Sequence, residues 1–174
     1  LQLFSFDGLF GETLKINSEL NKMSATLGEV NGNGFTQVKN AFVTATKGIG
    51  ESFESARETV DSLIESGYIG NFNEATKAIS LFSKATDVSR RSVAETYDFL
   101  NKTMKMSEGS ITSIYASMQK ISQTYGLTKK GMTEVTTSIK TMASNMKAFG
   151  SSEANVKTMA VSTAKLASQF EKVG

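Results

Sequence analysis

The side chains best suited to acid–base chemistry in this sequence are four glutamates in one short stretch, Glu51, Glu54, Glu58 and Glu65. Glu54 and Glu58 are four residues apart, a spacing that places both carboxylates on the same face of a helix. Paired carboxylates can in principle serve as general acid and general base. Arg57 lies between them, however, and no polar pocket signature accompanies them. We therefore predict that these glutamates form the solvated face of an amphipathic helix.

The other residue types common in catalysis are either absent or not part of any recognisable catalytic motif. The chain has no His and no Cys, which excludes an imidazole base, a reactive thiolate, disulfides and the His- or Cys-containing zinc sites. Serine is plentiful, but no Gly-x-Ser-x-Gly elbow occurs, and no spacing selects a Ser–Lys pair. Its four Asp residues cannot form a calcium loop, and its glycine pairs lack the other residues of a phosphate loop. We predict a protein that is not an enzyme and has no catalytic residue, no cofactor, no metal and no small-molecule substrate.

The charge of the chain is almost balanced. Lys and Arg number 19 against 17 for Asp and Glu, a formal net charge of +2. The longest basic runs are the pairs Arg90-Arg91 and Lys129-Lys130. We interpret both as solvated surface in first helical turns, and we predict no sequence-specific contact with nucleic acid. No run approaches the roughly 18 apolar residues of a membrane span. The chain begins at Leu1 and stops directly after a periodic run, so we expect a fragment of a longer polypeptide.

Apolar residues recur with the 3-4 spacing of a helix almost throughout, and the complete absence of Pro fits continuous helix. We predict a helix and an Asn/Gly turn over residues 1–34, and a long heptad-like helix over residues 35–66. Gly48 and Gly50 predict a bend or a close backbone approach near Ile49. A sustained heptad needs a partner helix, so we predict that the apolar seam of the second helix mediates homo-oligomer contacts. This apolar seam consists of Phe35, Val38, Phe42, Ile49, Phe53, Val60 and Leu63.

After residue 70 the pattern changes to shorter helices, and one start signal recurs. An apolar residue, then Ser or Thr, then a second apolar residue four positions after the cap predicts an N-cap closed by a hydrophobic staple. The predicted N-caps are Ser89, Ser107, Thr128 and Ser152, the last of which follows a serine and not an apolar residue. Short connectors favour a bundle or short solenoid of about five helices over residues 71–174. The predicted fold class is therefore all-α, with long amphipathic N-terminal helices followed by a bundle of short helices.

Two stretches of this second region are similar to each other and to a known family. FSKATDVSRRSVAETYDFLNK begins at Phe82, and SQTYGLTKKGMTEV begins at Ser122. Both resemble the helical region of bacteriophage tail tape measure proteins, in which short helices begin at an Ala-Thr, apolar, Ser step of this kind. The resemblance extends over roughly residues 70–174. The apolar membrane segment and the murein-cleaving motif of the wider family have no counterpart here, so those activities are not carried over.

The resemblance implies a structural virion component that sits in the tail tube, helps to set tail length and is released when DNA is ejected. It implies that the partners are other copies of the chain and other phage tail proteins. The location implied is the tail interior or tail tip of the virion, and the host cell during assembly. A helix rises about 1.5 Å per residue, so a helical chain can act as a ruler.

Two other classes of function stay open on the sequence alone. One is a helical protein-binding module or adaptor of cellular origin, with no catalytic activity, whose seam binds a partner helix. The other is an enzyme that uses a Ser–Lys or a Glu pair. Hundreds of flanking residues with the same helical pattern would favour the tape measure, and a neighbouring catalytic domain would contradict it.

Overall fold

The computed structural model describes Lys22, residues 34–148 and residues 153–173, and every regular element in them is helical. The predicted all-α class is confirmed. Seven α-helices are described, two of which continue into a five-residue π-helical turn. They are α1 (Gly34–Val43) with the first π turn (Thr44–Gly48), α2 (Phe53–Glu65), α3 (Phe72–Thr86), α4 (Arg90–Asp98) with the second π turn (Phe99–Thr103), α5 (Glu108–Tyr125), α6 (Lys129–Ala148) and α7 (Glu153–Val173). The helix and turn predicted over residues 1–34 lie almost entirely outside the described residues.

The long helix predicted over residues 35–66 is two helices in the structure, α1 and α2. The chain leaves the helical path at Gly50, whose φ of +81° a residue with a side chain adopts only with strain. The bend expected near Ile49 is thus a complete break. Apolar spacing continues across it, which is why periodicity alone predicts one helix.

The predicted long helix is therefore absent over residues 35–66, and the longest described helices lie after residue 128. The first two described helices, α1 and α2, contain 10 and 13 residues. The two helices at the other end, α6 and α7, contain 20 and 21 residues. In the described part of residues 71–174 there are five helices, α3 to α7.

Each helix packs against the second helix after it along the chain. The pairs are α1 on α3, α2 on α4, α3 on α5, α4 on α6 and α5 on α7. Odd-numbered helices therefore form one layer and even-numbered helices form the other. Some sequence neighbours also pack on each other, as α3 does on α4 and α6 does on α7. This is the packing of a short two-layer solenoid, to which each further pair of helices adds one step.

A chain of aromatic rings crosses the core between the layers. Tyr68 lies 5.5 Å from Phe72 and 5.6 Å from Tyr97, measured between ring centroids. Tyr115 lies 6.1 Å from Tyr97 and 4.8 Å from Phe82. All five side chains are buried. Because aromatic pairs contribute stability beyond their buried area, this chain of rings fixes the relative positions of α3, α4 and α5.

Two connectors, residues 44–52 and 99–107, share one backbone path. In both, a π turn and one further residue precede a residue with positive φ, and one more residue then precedes a serine N-cap. The positive-φ residues are Gly50 at +81° and Lys105 at +59°. The hydrogen bonds that close the paths are Ile49 N–H to Thr44 O (3.1 Å), Glu51 N–H to Ala45 O (2.9 Å), Met104 N–H to Phe99 O (3.1 Å) and Met106 N–H to Leu100 O (3.0 Å).

Two shorter connectors, α3 to α4 and α5 to α6, also match each other. Both have a residue with positive φ, then a buried apolar residue, then the N-cap of the next helix. The members are Asp87, Val88 and Ser89 in the first and Gly126, Leu127 and Thr128 in the second. They lie in the two similar stretches of sequence that begin at Phe82 and at Ser122. The repeat in the sequence is therefore a repeat of the backbone at these two turns.

Candidate functional site

Four of the seven residues of the apolar seam lie inside the chain's own core. Its fully or almost fully buried members are Val38, Phe42, Val60 and Leu63. The ring of Phe42 on α1 stacks on that of Phe53 on α2, with centroids 5.5 Å apart. Ile49 is half-buried, and the side chain of Phe35 lies outside the described residues. The partner that the seam requires is thus supplied within the same chain, and while this fold persists the buried members cannot reach a second copy.

Three of the four predicted N-cap residues lie at helix starts within the described residues. The Ser89 side chain accepts a hydrogen bond from Ser92 N–H (3.2 Å), and the Ser107 side chain accepts one from Ser110 N–H (3.2 Å). Thr128 accepts one from Gly131 N–H (3.1 Å). Ser152 lies outside the described residues. These caps set where α4, α5 and α6 begin, and with them the positions of the surface side chains.

Sequence reasoning missed two further caps. The Ser52 side chain accepts from Ser55 N–H and starts α2, and the Asn71 side chain accepts from Glu74 N–H and starts α3, both at 3.1 Å. Because the apolar seam predicts one continuous helix over residues 35–66, no N-cap is expected at Ser52. Asn71 follows directly on a glycine turn, and that position is the signal that could have identified it.

Adjacent arginines have different environments. Arg90 Nη2 lies 2.6 Å from Glu51 Oε1, and their side chains are only 16% and 6% exposed. Arg91 Nη2 lies 2.6 Å from Glu65 Oε2, with both side chains more than half exposed. The prediction of solvated surface is therefore wrong for Arg90 and for Glu51. Their ion pair fastens the connector before α2 to the first turn of α4.

A polar junction joins the α2–α3 loop to the start of α5. One carboxylate oxygen of Glu108 accepts hydrogen bonds from the Tyr68 hydroxyl and from Asn71 N–H, the second at 2.7 Å. Gly70 leaves room for the contact between Tyr68 and Glu108, since a Cβ at Gly70 would overlap the Tyr68 hydroxyl and lie 2.7 Å from the Glu108 oxygen. Burial, reinforced by the hydrogen bond to Glu108, raises the pKa of Tyr68 well above its usual range. This hydroxyl therefore acts as a hydrogen-bond donor and not as a base.

The hydroxyl groups of the other two buried tyrosines, Tyr97 and Tyr115, also stay protonated. Burial raises the pKa of Tyr97 and of Tyr115 well above the usual range. The Tyr115 hydroxyl donates to Val93 O at 2.9 Å, which ties α5 to α4. Two protonated hydroxyl groups, those of Tyr68 and Tyr115, thus tie the aromatic chain to neighbouring elements by hydrogen bonds.

One serine accepts a hydrogen bond from a lysine side chain. Lys157 Nζ donates to Ser113 Oγ at 2.7 Å, which joins α7 to α5. Both side chains are half-buried. This is the Ser–Lys contact that no spacing in the sequence selects, and its geometry is that of a tie between two packed helices.

The exposed side of α2 carries an acidic stripe, which we define as Glu54, Glu58, Asp61 and Glu65. Together with Arg57 and Arg91 it lines an open groove of about 300 Å³ between α2 and α4. Asp61 lies 3.4 Å from Arg57. The predicted solvated glutamate face is therefore present at these positions, without Glu51.

A second polar cavity, of about 240 Å³, continues from this groove to the second π turn and α6. Asp98 lines it, and burial raises the pKa of its carboxyl, against the opposing effect of Lys102 and Lys140. Lys102 Nζ is 3.9 Å from the carboxylate. Lys140 also stands over the ring of Phe99, 5.7 Å from its centroid. The arrangement balances positive and negative groups and joins three helices of the even-numbered layer.

The odd-numbered layer carries a groove of the opposite charge, which we call the basic groove. It lies between α5 and α7, has a volume of about 580 Å³ and is lined by Lys120, Lys157 and Lys165. Its apolar part includes Ile121, Val161 and Tyr125. No acidic residue lines it among the residues that the structure describes. A groove with an apolar floor and positive sides is suited to an acidic helix.

No group of three or more acidic side chains placed to hold a metal ion occurs in residues 34–148 and 153–173. Within the same ranges no helix has the length and apolar content to cross a membrane. No family model, curated protein or solved structure matches this chain.

Proposed function

We propose that this chain is a structural, non-catalytic segment of a bacteriophage tail tape measure protein, which works by packing against other copies of itself and against other tail proteins. The observation that carries the proposal is the pair of matching short connectors. The two stretches that resemble the family, residues 82–102 and 122–135, contain these connectors, and each begins a new helix in the same way. Repeated helix-turn units that add one after another are suited to a component whose length matters.

Folded hairpins are shorter than the same residues in one helix, so a ruler function requires the hairpins to open. A straight helix of 39 residues, the offset between the two short connectors, would be about 58 Å long. When α1 and α2 straighten into one helix, the apolar seam from Phe35 to Leu63 loses its partner within the chain. The seam would then require a helix from a second copy, as a heptad does. We propose that folding back and self-association are alternative ways of covering this seam.

The test is an in-frame deletion of residues 90–128 in the genome that encodes the chain. The deletion joins Ser89 to Lys129, so a serine N-cap still precedes a helix. We expect particles whose tails are shorter by about 58 Å, measured by electron microscopy. The matched control is Ser89→Ala, which weakens one cap and leaves the length of the chain unchanged. Tails of unaltered length in the deletion, or purified particles that lack the chain, would overturn the proposal.

The packing of each helix on the second helix after it also favours a second candidate, a protein-binding solenoid of cellular origin. Solenoids bind partners over the extended surface that their stacked helices create. The hypothesis of a cellular binding protein predicts that the deletion of residues 90–128 leaves the tail length of particles unchanged. It also predicts that the chain is recovered in a complex with a cellular protein.

A further inference from the structure

The basic groove presents its charges along two helices. Lys157 and Lys165 are eight residues apart on α7, which places them about 12 Å apart along the helix axis. Lys120 stands opposite them on α5, and the three lysines give the groove a formal charge of +3. Lys157 is held in place by its hydrogen bond to Ser113. The side chain of Tyr125 is 39% exposed at this groove and offers an apolar contact surface.

The acidic stripe has the complementary charge and a similar length. Its four members follow one another at intervals of four, three and four residues, so they lie on one face of α2 over about 16 Å. Four carboxylates and the Arg57 guanidinium give α2 a formal charge of −3. The side chains of Glu54 and Glu58 are exposed. Asp61 and Glu65 are paired with arginines, but these pairs are exposed and weak.

Charge and shape together identify an occupant for the basic groove. We propose that it binds the acidic stripe of α2 from a second copy of the chain. A helix seated on another helix of the same layer is already how this fold packs, as in α2 on α4 and α5 on α7. The bound α2 would continue that packing from one molecule to the next, with carboxylates facing lysines.

The two surfaces belong to different layers, so the contact is heterologous. Each molecule offers its groove to one neighbour and its stripe to another, and such a contact makes an open chain unless its rotation closes a ring. Its charges are exposed, so salt screens the attraction and the association is weak. The inference deepens the proposed structural role by naming a contact between copies, and it rests on that role only for its biological purpose. Association is measured on the purified chain and tail length on particles, so either can fail alone.

Charge reversal on each side tests the proposal. The groove variant carries Lys120→Glu and Lys165→Glu, and the stripe variant carries Glu54→Lys and Glu58→Lys. The matched control carries Lys39→Glu and Lys77→Glu, which change the net charge as the groove variant does but lie at exposed positions on α1 and α3. Sedimentation equilibrium at about 20 mM and about 500 mM salt measures the dissociation constant for self-association.

We expect the unaltered chain and the control to associate at low salt, with a dissociation constant at least about tenfold larger at high salt. Each variant alone should be monomeric. An equimolar mixture of the two should associate again, because the groove variant keeps its acidic stripe, the stripe variant keeps its basic groove, and the two reversed surfaces are also opposite in charge. If circular dichroism shows that the groove variant has lost helix, the single change Lys120→Glu replaces it in the same mixture.

Three results would overturn the proposal. The first is a chain that stays monomeric at low salt. The second is self-association that neither variant weakens. The third is a mixture that fails to associate although both variants are folded. Binding of an acidic peptide or an oligonucleotide to the groove, without association between copies, would assign the groove to that other occupant and reject the second copy.

Discussion

The connectors at residues 44–52 and 99–107 follow one backbone path with almost unrelated side chains. Gly50 occupies the position of positive φ in the first, and Lys105 occupies it in the second. The next residue is buried in both, but it is Glu51 in the first connector and Met106 in the second. A buried methionine needs no polar partner, whereas a buried carboxylate does. The first connector therefore depends on a distant residue, Arg90, and the second does not.

The side-chain hydrogen bonds to the backbone of the two connectors show the same difference between local and distant partners. In the second connector the Asn101 side chain donates to Met106 O at 3.0 Å, a bond within the connector itself. In the first connector Lys84 Nζ, from α3, donates to Ile49 O at 3.2 Å. The carbonyl group of the second path thus accepts its side-chain hydrogen bond from within the connector, whereas the polar groups of the first path are bonded to α3 and α4. The same local structure can have local or long-range causes, and only the local ones can be read from a short stretch of sequence.

Substitution of Arg90 should show the difference between the two connectors most clearly, because only the first connector depends on this residue. Arg90→Met leaves Glu51 buried and unpaired, and we expect it to lower the free energy of unfolding by about 3–5 kcal/mol. Its neighbour supplies the control, since Arg91→Met removes an exposed ion pair and should cost less than about 1 kcal/mol. Urea unfolding of the purified chain measures both. Equal losses in the two variants would contradict the assignment of a buried pair.

A double variant shows whether the first connector can be made like the second. Glu51→Met combined with Arg90→Met puts an apolar residue where Met106 stands in the other connector. Replacement of a buried ion pair by apolar side chains is often neutral or stabilising. We therefore expect the double variant to recover most of the stability lost in Arg90→Met. A further loss would mean that the pair does more than neutralise Glu51.

Substitution of the two glycines near the first connector should give effects of opposite sign. Gly50→Ala places a Cβ at a φ of +81° and should cost about 1–2 kcal/mol, although no atom lies within 4 Å of that Cβ. Gly48→Ala, two residues earlier in the π turn, also meets nothing within 4 Å and has no positive φ. It should gain about 0.5–1 kcal/mol because alanine loses less conformational freedom on folding. Thermal melting of both variants checks the sign, and two losses would refute the assigned backbone at one of them.

The same pair of connectors shows how far sequence could predict the fold. Periodicity and the absence of Pro predict the helices, and Ser89, Ser107 and Thr128 predict three helix starts, because each of these signals lies within a few residues of its effect. The break at Gly50 left only a suggestion of a bend, since the seam continues across it. No residue near Lys105 in the sequence predicts a positive φ at this position. The Arg90–Glu51 pair joins residues 39 apart, and the two charged grooves join different helices, so their partners follow only from the packing.

The serine caps should respond alike, since they close both connectors in the same way. Ser52→Ala and Ser107→Ala each remove one acceptor for a free backbone N–H, and we expect each to cost about 1 kcal/mol. Ser66→Ala, at the end of α2, is the control for loss of a hydroxyl away from an N-cap. Urea unfolding of the three variants measures the difference. A loss at Ser66 as large as those at the caps would show that the cap bonds are not the cause.

The smallest effect concerns Asp98, the residue directly before the second π turn, where the first connector has the uncharged Val43. Burial raises the pKa of this carboxyl above its ordinary value of 3.8. The folded state therefore holds the proton more tightly than the unfolded state does, and the stability linked to it is fully present below the ordinary pKa and is lost as pH rises through the raised pKa. Asp98→Asn removes this loss, so it should be more stable than the unaltered chain at pH 7, and the difference should shrink as the pH falls towards 4. Urea unfolding of both proteins across this pH range measures the difference. A variant that is less stable at neutral pH would mean that the contact between Asp98 and Lys102 outweighs the cost of burying the charge.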